Sequence, residues 1–213
     1  MTVAQPGSAK PFLPRVLSIP SLKRAARKCQ GCPLYQRATQ TVFGEGPEDA
    51  RVILVGEQPG DNEDRQGKPF VGNAGKLLDR ALEEAGVVRS EVYVSNAVKH
   101  FKWEERGKRR IHKKPSAAEI NACHPWLEAE IEVIEPDIIV CLGATAAQSL
   151  MGRDFRVTAD RGKFFESPWT AQLMATVHPS SLLRITEEAD RRREYQRFVV
   201  DLKGIAEKLR EIG

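Results

Sequence analysis

Several short segments of this 213-residue chain carry side chains able to do chemistry. In "GEQPGDNED", Glu57 follows an apolar run and Gly56 lets the backbone come close to a ligand. A carboxylate there can act as a base or oppose a developing positive charge; the ordinary alternative is a solvated turn. Phe70, in "GKPFVGNAG", offers a ring in a glycine-bounded loop that either stacks on a planar ligand or caps the core. Asn96, in "VYVSNAV", has an amide that donates and accepts at once, suited to reading a polar ring edge or to closing a turn. His178 opens "HPSSLLR" and can donate to an oxygen that becomes negative in a transition state, or be a satisfied structural group. Beyond it, Leu182 and Leu183 form a candidate apolar wedge, and Arg184 a candidate phosphate or groove contact.

The segment "GKRRIHKKP" sets His112 among lysines and arginines. From Lys99 to Lys114 there are eight cations (Lys99, Lys102, Arg106, Lys108, Arg109, Arg110, Lys113 and Lys114) against Glu104 and Glu105. Such a run should track phosphates with salt-sensitive, sequence-independent affinity. Like charges also favour the neutral imidazole, whose nitrogen lone pair is a nucleophile where the imidazolium has none. Taken alone, a phosphate contact is the commoner role for such a histidine. There are four cysteines, Cys29, Cys32, Cys123 and Cys141, and the "CQGC" spacing lets two thiolates reach one metal centre. In a reducing compartment that outweighs a pair of disulfides. Cys123 and Cys141 read equally well as small core residues, Cys141 especially, because it sits in the apolar run "DIIVCLG".

The elements that must position these groups follow from the apolar patterning. A chain with 41% hydrophobic residues can bury one substantial core, and a net charge of +4 permits an acidic partner without requiring one. Residues 1–20, with four of the thirteen prolines, read as a flexible or surface-draped lead-in, and residues 21–213 as a single domain. The opening lacks the apolar segment of a secretory signal, and no run approaches the roughly 18 apolar residues of a membrane span, so a soluble, cytoplasmic protein is expected. "RVILVG", "EVYVSN", "DIIVCLG" and "AQLMATV" are continuous apolar runs typical of strands buried on both faces. Helical patterns alternate with them: "SLKRAARKC", "NAGKLLDRALEEAGV", a segment with a Ser116 to Glu119 capping box that Pro125 should kink or split, "ATAAQSLMG", and a charged helix from about Glu187 to Ile212. The alternation predicts an α/β fold with a mainly parallel four-stranded sheet covered on both faces. The loops leaving the carboxyl ends of its strands, "GEQPG", "SNAVKH", "CLGAT" and "HPSSLLR", should then form the ligand crevice.

Order and joint spacing say more than any single motif. CxxC, GExPG, G-K-P-F-V-G, S-N-x-V-K, two further cysteines and HPSxLLR occur in that sequence, and over roughly residues 21–200 the chain resembles the family 4 uracil-DNA glycosylases, the iron-sulfur branch of their superfamily. That resemblance implies a three-layer α/β/α fold and a structural 4Fe-4S cluster on Cys29, Cys32, Cys123 and Cys141. It also implies uracil-containing DNA, single-stranded and possibly duplex, as the partner, with the base extruded from the stack. Phe70 then matches the stacking residue, and Asn96 the amide that pairs with O4 and N3–H of uracil. His178 matches the group that stabilises the departing uracil anion through O2, and Glu57 the carboxylate near C1′; Gly56 and Gln58 belong to the same pocket. Lys108, Arg109, Arg110, Lys113 and Arg184 are the expected DNA-backbone contacts. Two features depart from the familiar family 4 pattern: Gln58 stands where Ala or Gly is usual, and the basic "KRRIH" follows "NAVKH". Both match the UdgX subgroup, which excises uracil and stays attached to the DNA through the histidine of KRRIH, here His112. Two other readings stay open: a conventional enzyme that turns over, with Glu57 directing water, and a non-enzymatic iron-sulfur DNA-binding protein. No membrane, no protein partner and a monomer are expected.

Overall fold

The computed structural model describes residues 7–169 and 172–213. Along the chain run helix α1 (Ile19–Ala26), strand β1 (Val52–Gly56), helices α2 (Asp61–Gln66) and α3 (Asn73–Ala85), and strand β2 (Val92–Asn96). Strands β3 (Trp103–Arg106) and β4 (Arg109–His112), helix α4 (Ala117–Ile134), strand β5 (Ile138–Leu142) and helices α5 (Ala144–Met151) and α6 (Val157–Asp160) follow. Strands β6 (Phe164–Phe165) and β7 (Gln172–Thr176), helix α7 (Pro179–Leu182) and helix α8 (Glu188–Ile212) complete the order.

The four apolar runs become four parallel strands, and every residue of β1, β2 and β5 is buried. The sheet has one strand more than the sequence predicts: its order is β2-β1-β5-β7-β6, and β6 adds to β7 antiparallel. A pairing of two residues, Phe164 and Phe165, is too short to leave an alternating pattern. Successive side chains alternate between the faces. Ile53, Val55, Ile139 and Leu173 pack with Leu22 of α1, Trp126 and Leu127 of α4 and Ala147 of α5. Leu54, Val94, Val140 and Met174 pack with Leu78 and Leu82 of α3 and Phe198 and Leu202 of α8. Burying each such side chain contributes roughly 1.5–3 kcal/mol, and the two cores make the three-layer α/β/α arrangement. The outer edge of β2 is covered by residues 42–45, which bridge to Val94 and bond to Lys99.

Pro125 neither kinks α4 to a stop nor divides it. The helix opens with the expected Ser116–Glu119 capping box and continues through the proline, whose neighbours Trp126 and Leu127 are fully buried. Tertiary packing of that turn offsets the missing hydrogen bond. At the amino end, residues 1–6 of the expected lead-in lie outside the described residues. From residue 7 onward it packs: Ala9 is buried and its N–H donates to Ala122 O at 2.7 Å, and α1 already begins at Ile19. Among the described residues no helix is long and apolar enough to cross a membrane.

Lys99 departs from its expected place in a phosphate-tracking surface. It is 1% exposed and ion-paired with Glu130 of α4. The same carboxylate accepts from the hydroxyls of Tyr93 and Ser95 and from Gly44 N–H. A buried charge persists only when paired and hydrogen-bonded in this way, and the network fixes the segment after β2 to α4.

Candidate active site

At the carboxyl ends of the parallel strands lies a cavity of about 730 Å³. Glu57, Gln58, Phe70, Asn96, His112, His178 and Arg184 all line it, with Thr145 at the start of α5. The four loops that the strand pattern places at the crevice do meet there.

Gly56 ends β1 opposite Asn96 in the parallel register. A Cβ at this position would stand 2.4 Å from Asn96 Oδ1 and 2.7 Å from Phe70 Cζ, so glycine is what allows ring and amide to sit side by side. Asn96 is nearly buried, at 4% exposure. Phe70 takes a left-handed backbone, with φ of +55°, which is costly for a bulky residue and is held by the close packing of its loop on α3. Its ring lies 6.1 Å from that of His178, with 26° between the planes.

His178 sits just before α7 and accepts from Ser180 N–H through Nδ1 at 3.1 Å. In the neutral ring this bond leaves the proton on Nε2. Burial pushes the ring's pKa down to about 4, with Arg184 and His112 adding to the effect. Near neutral pH it is therefore an uncharged donor, able to stabilise developing negative charge without having to lose or gain a proton.

The basic segment is not a loop but a hairpin. β3 pairs antiparallel with β4 across a two-residue turn in which Gly107 takes φ of +59°, and His112 ends the second strand opposite Trp103. The hairpin is clasped to the domain. Gln58 donates through Nε2 to Lys113 O at 2.9 Å and to Lys102 O at 3.3 Å, and its Oε1 accepts from Lys102 N–H at 3.0 Å. Its amide is thus engaged with backbone, which corrects its expected role as a uracil contact; it positions the hairpin. Arg110 also departs from expectation. It pairs with Asp61 and Asp64 of α2, and its side chain is only 16% exposed, so it ties the hairpin down instead of presenting a free cation to DNA. Lys113 pairs with Glu104, while Lys108, Arg109 and Arg184 are exposed. Leu183 is exposed but Leu182 is in the core, so the expected apolar wedge reduces to one residue.

This clasp brings His112 Nε2 to 3.3 Å from Glu57 Oε1, and Thr145 donates its hydroxyl to the other carboxylate oxygen. Burial and the Arg184 guanidinium push the His112 pKa down, while Glu57 opposes them. Thr145 was not singled out by type or spacing; only its place in the crevice segment "CLGAT" marks it. Replacing Gln58 with alanine is expected to loosen the hairpin. Any reaction depending on His112 should then slow by roughly tenfold, from about 1–1.5 kcal/mol of lost hydrogen bonding, with a smaller effect on steps at Asn96 and His178. Single-turnover rates of the separate steps would show this, and equal losses in both would return Gln58 to the base pocket.

Cys29, Cys32 and Cys123 gather beneath the hairpin side of the site, close enough to act on one another's charge. Their sulfurs meet donors: Lys99 N–H to Cys123 Sγ at 3.2 Å, and Trp126 Nε1–H to Cys29 Sγ at 3.3 Å. Buried thiols that receive N–H groups suit thiolate ligands of an iron-sulfur cluster. Among the described residues no group of three or more His, Cys, Asp or Glu side chains is arranged to hold a metal ion. Cys141 packs in the same core as the other three cysteines but on the sheet itself. It lies in mid-sheet on β5, between Val55 and Ala175, and burial pushes its thiol up to about 12.

Sequence comparison agrees with this geometry. The profile described as "Uracil DNA glycosylase superfamily" matches residues 43–203. A type-4 uracil-DNA glycosylase from Thermotoga maritima is 40% identical over 176 residues, 82% of this chain and 85% of that protein. One from Sulfurisphaera tokodaii is 37% identical, covering 78% and 76% of the two chains. A type-5 uracil-DNA glycosylase from Thermus thermophilus is more distant, at 30% identity over 74% of each chain. The match takes in every strand of the central sheet and all the cavity residues named above, and the chain belongs to the uracil DNA glycosylase superfamily.

Proposed function

We propose that this chain excises uracil from DNA, single-stranded or duplex, by cleaving the N-glycosidic bond, and then joins His112 to C1′ of the sugar, as the UdgX subgroup does. The observation that carries this reading is the placement of His112 Nε2 beside Glu57 at the cavity that also holds Phe70, Asn96 and His178. An extruded uracil stacks on Phe70 and pairs with Asn96. As the bond from C1′ to N1 breaks, its electron pair leaves with the uracil, and Nε2–H of His178 donates to O2 of the anion. Glu57 opposes the positive charge left on the sugar. The His112 lone pair then forms the bond to C1′, the ring's remaining proton is lost to solvent, and uracil takes up a proton, so no water is consumed. Lys108, Arg109 and Arg184 hold phosphates. Cys29, Cys32, Cys123 and Cys141 would hold a 4Fe-4S cluster, which when bound orders the surrounding loops.

The test is a uracil-containing oligonucleotide incubated with the protein and run on a denaturing gel. A heat- and SDS-resistant shifted band is expected, absent with a thymine control. Free uracil with multiple turnovers and no shifted band would support the conventional enzyme, in which Glu57 directs water. Equally tight binding to uracil-free DNA with no abasic product would support a DNA-binding protein without activity.

The pH dependence follows from the lowered His112 pKa. Protonation removes the lone pair, so adduct formation fails as pH falls, and the downward shift moves that loss to lower pH. The single-turnover adduct rate should reach half its high-pH value only below about pH 6.5, the ordinary imidazole value. A rate already falling between about pH 8 and 7 would contradict a neutral nucleophile.

A further inference from the structure

We propose that Thr145 is a positioning residue: its hydroxyl fixes the Glu57 carboxylate and thereby sets how the cationic sugar is divided between His112 and water. The sheet brings the two residues together. β1 and β5 are parallel neighbours, so Glu57, which follows β1, and Thr145, in the first turn of α5 after β5, leave adjacent strands at the same end. Thr145 is 5% exposed, and it donates its hydroxyl to Glu57 Oε2. A helical threonine ordinarily returns that proton to a carbonyl three or four residues back. Here those residues, Leu142 and Cys141, lie in β5, and the proton crosses to another segment instead.

Glu57 needs such a tether. The last torsion of a glutamate is broad, so nothing within the side chain sets the plane of its carboxylate. Among the described residues its side-chain partners are Thr145 at Oε2 and His112, whose Nε2 stands 3.3 Å from Oε1. With Oε2 bonded to the buried Thr145, Oε1 is left for His112, and the imidazole stands where Glu57 would otherwise orient a water. Threonine has few rotamers in a helix and holds this aim at little entropic cost. Two captures compete for one sugar cation. In the first, the His112 lone pair forms the bond to C1′, and the ring proton given up is matched by one that uracil gains. In the second, a water oxygen forms that bond, and one of the water's protons neutralises the uracil anion. Released from Thr145, the carboxylate can turn an oxygen to the open cavity and serve the second.

This proposal rests on the covalent reading above, and one measurement separates the two. The unmodified chain, Thr145→Val, Thr145→Ala and Thr145→Ser are each mixed with a uracil-containing oligonucleotide under single-turnover conditions, and the adduct formed per uracil released is measured. Both products come from the same cation, so a general loss of active protein leaves this ratio unmoved. The unmodified chain should convert nearly all released uracil into adduct. Valine keeps the shape of threonine and loses the donor, so the ratio should fall by roughly tenfold, with free abasic DNA making up the difference. Thr145→Ala should behave alike, and Thr145→Ser, which retains a hydroxyl, should keep the unmodified ratio. An unchanged ratio in Thr145→Val and Thr145→Ala, beside adduct in the unmodified chain, would overturn the proposal and leave the covalent reading in place. Loss of uracil release in both variants would also overturn it, since the hydroxyl would then serve bond cleavage itself. An unmodified chain that yields only free abasic DNA would overturn the covalent reading, and this proposal with it.

Discussion

His112→Gly should release uracil and leave no denaturation-resistant adduct with DNA. The groups that break the glycosidic bond come from the end of β2 (Asn96) and from the segments after β1 and β7 (Glu57 and His178); without the imidazole Glu57 keeps its bond from Thr145 and His178 its bond from Ser180. With the ring gone, space opens beside Glu57, and a water there would meet the cationic sugar and permit turnover. The adduct should fall by on the order of 10³-fold or more, because among the described residues lining the cavity no second imidazole has its lone pair free to attack. His178, the other imidazole lining the cavity, keeps Nδ1 on Ser180. Uracil release, followed by gas chromatography or by alkaline cleavage of the abasic product, should stay within about tenfold of the unmodified chain. An undiminished adduct in this variant would remove His112 from the chemistry, and loss of uracil release with it would make His112 part of the excision step.

His178→Ala should have the opposite signature. Removing a preorganised donor from a developing oxyanion costs roughly 10²–10³-fold in rate, and here the loss should appear in uracil release. Adduct formation should fall by the same factor, since His112 can capture only a sugar that has already lost its base. Single-turnover rates with one oligonucleotide can measure both steps. An adduct rate that falls while uracil release does not would place His178 after the bond cleavage. Because the ring is already neutral near pH 7, raising the pH should not rescue the variant or change the size of its defect.

Much of the scaffold was legible from the residues. Four continuous apolar runs gave four parallel strands, and the loops at their ends met in one cavity, because strands buried on both faces leave an unambiguous signal. What stayed hidden depended on contacts distant in sequence. The hairpin could not be read because its strands are charged and largely exposed, with no apolar alternation to mark them. Arg110 looked like its cationic neighbours, and only its approach to Asp61 and Asp64 distinguishes it. Gln58 was placed at the right site with the wrong contact, since an amide bonds to backbone as readily as to a base. Cys141 carried two readings in the sequence, ligand and core residue, and "DIIVCLG" already had the pattern of the buried strand on which it lies.

The clasp around the hairpin also bears on how the covalent capture proposed above could be engineered into a relative. Histidine and hairpin form one compact segment, yet the residues that aim it lie elsewhere. Gln58 reaches it from 44 and 55 positions away, and Asp61 and Asp64 hold Arg110 from the helix after β1. A graft of residues 103–112 alone would carry the nucleophile without its mounting and would lose much of its effective concentration at the sugar. The transferable unit is therefore a pair of segments, the hairpin together with Gln58 and the acidic turn of α2.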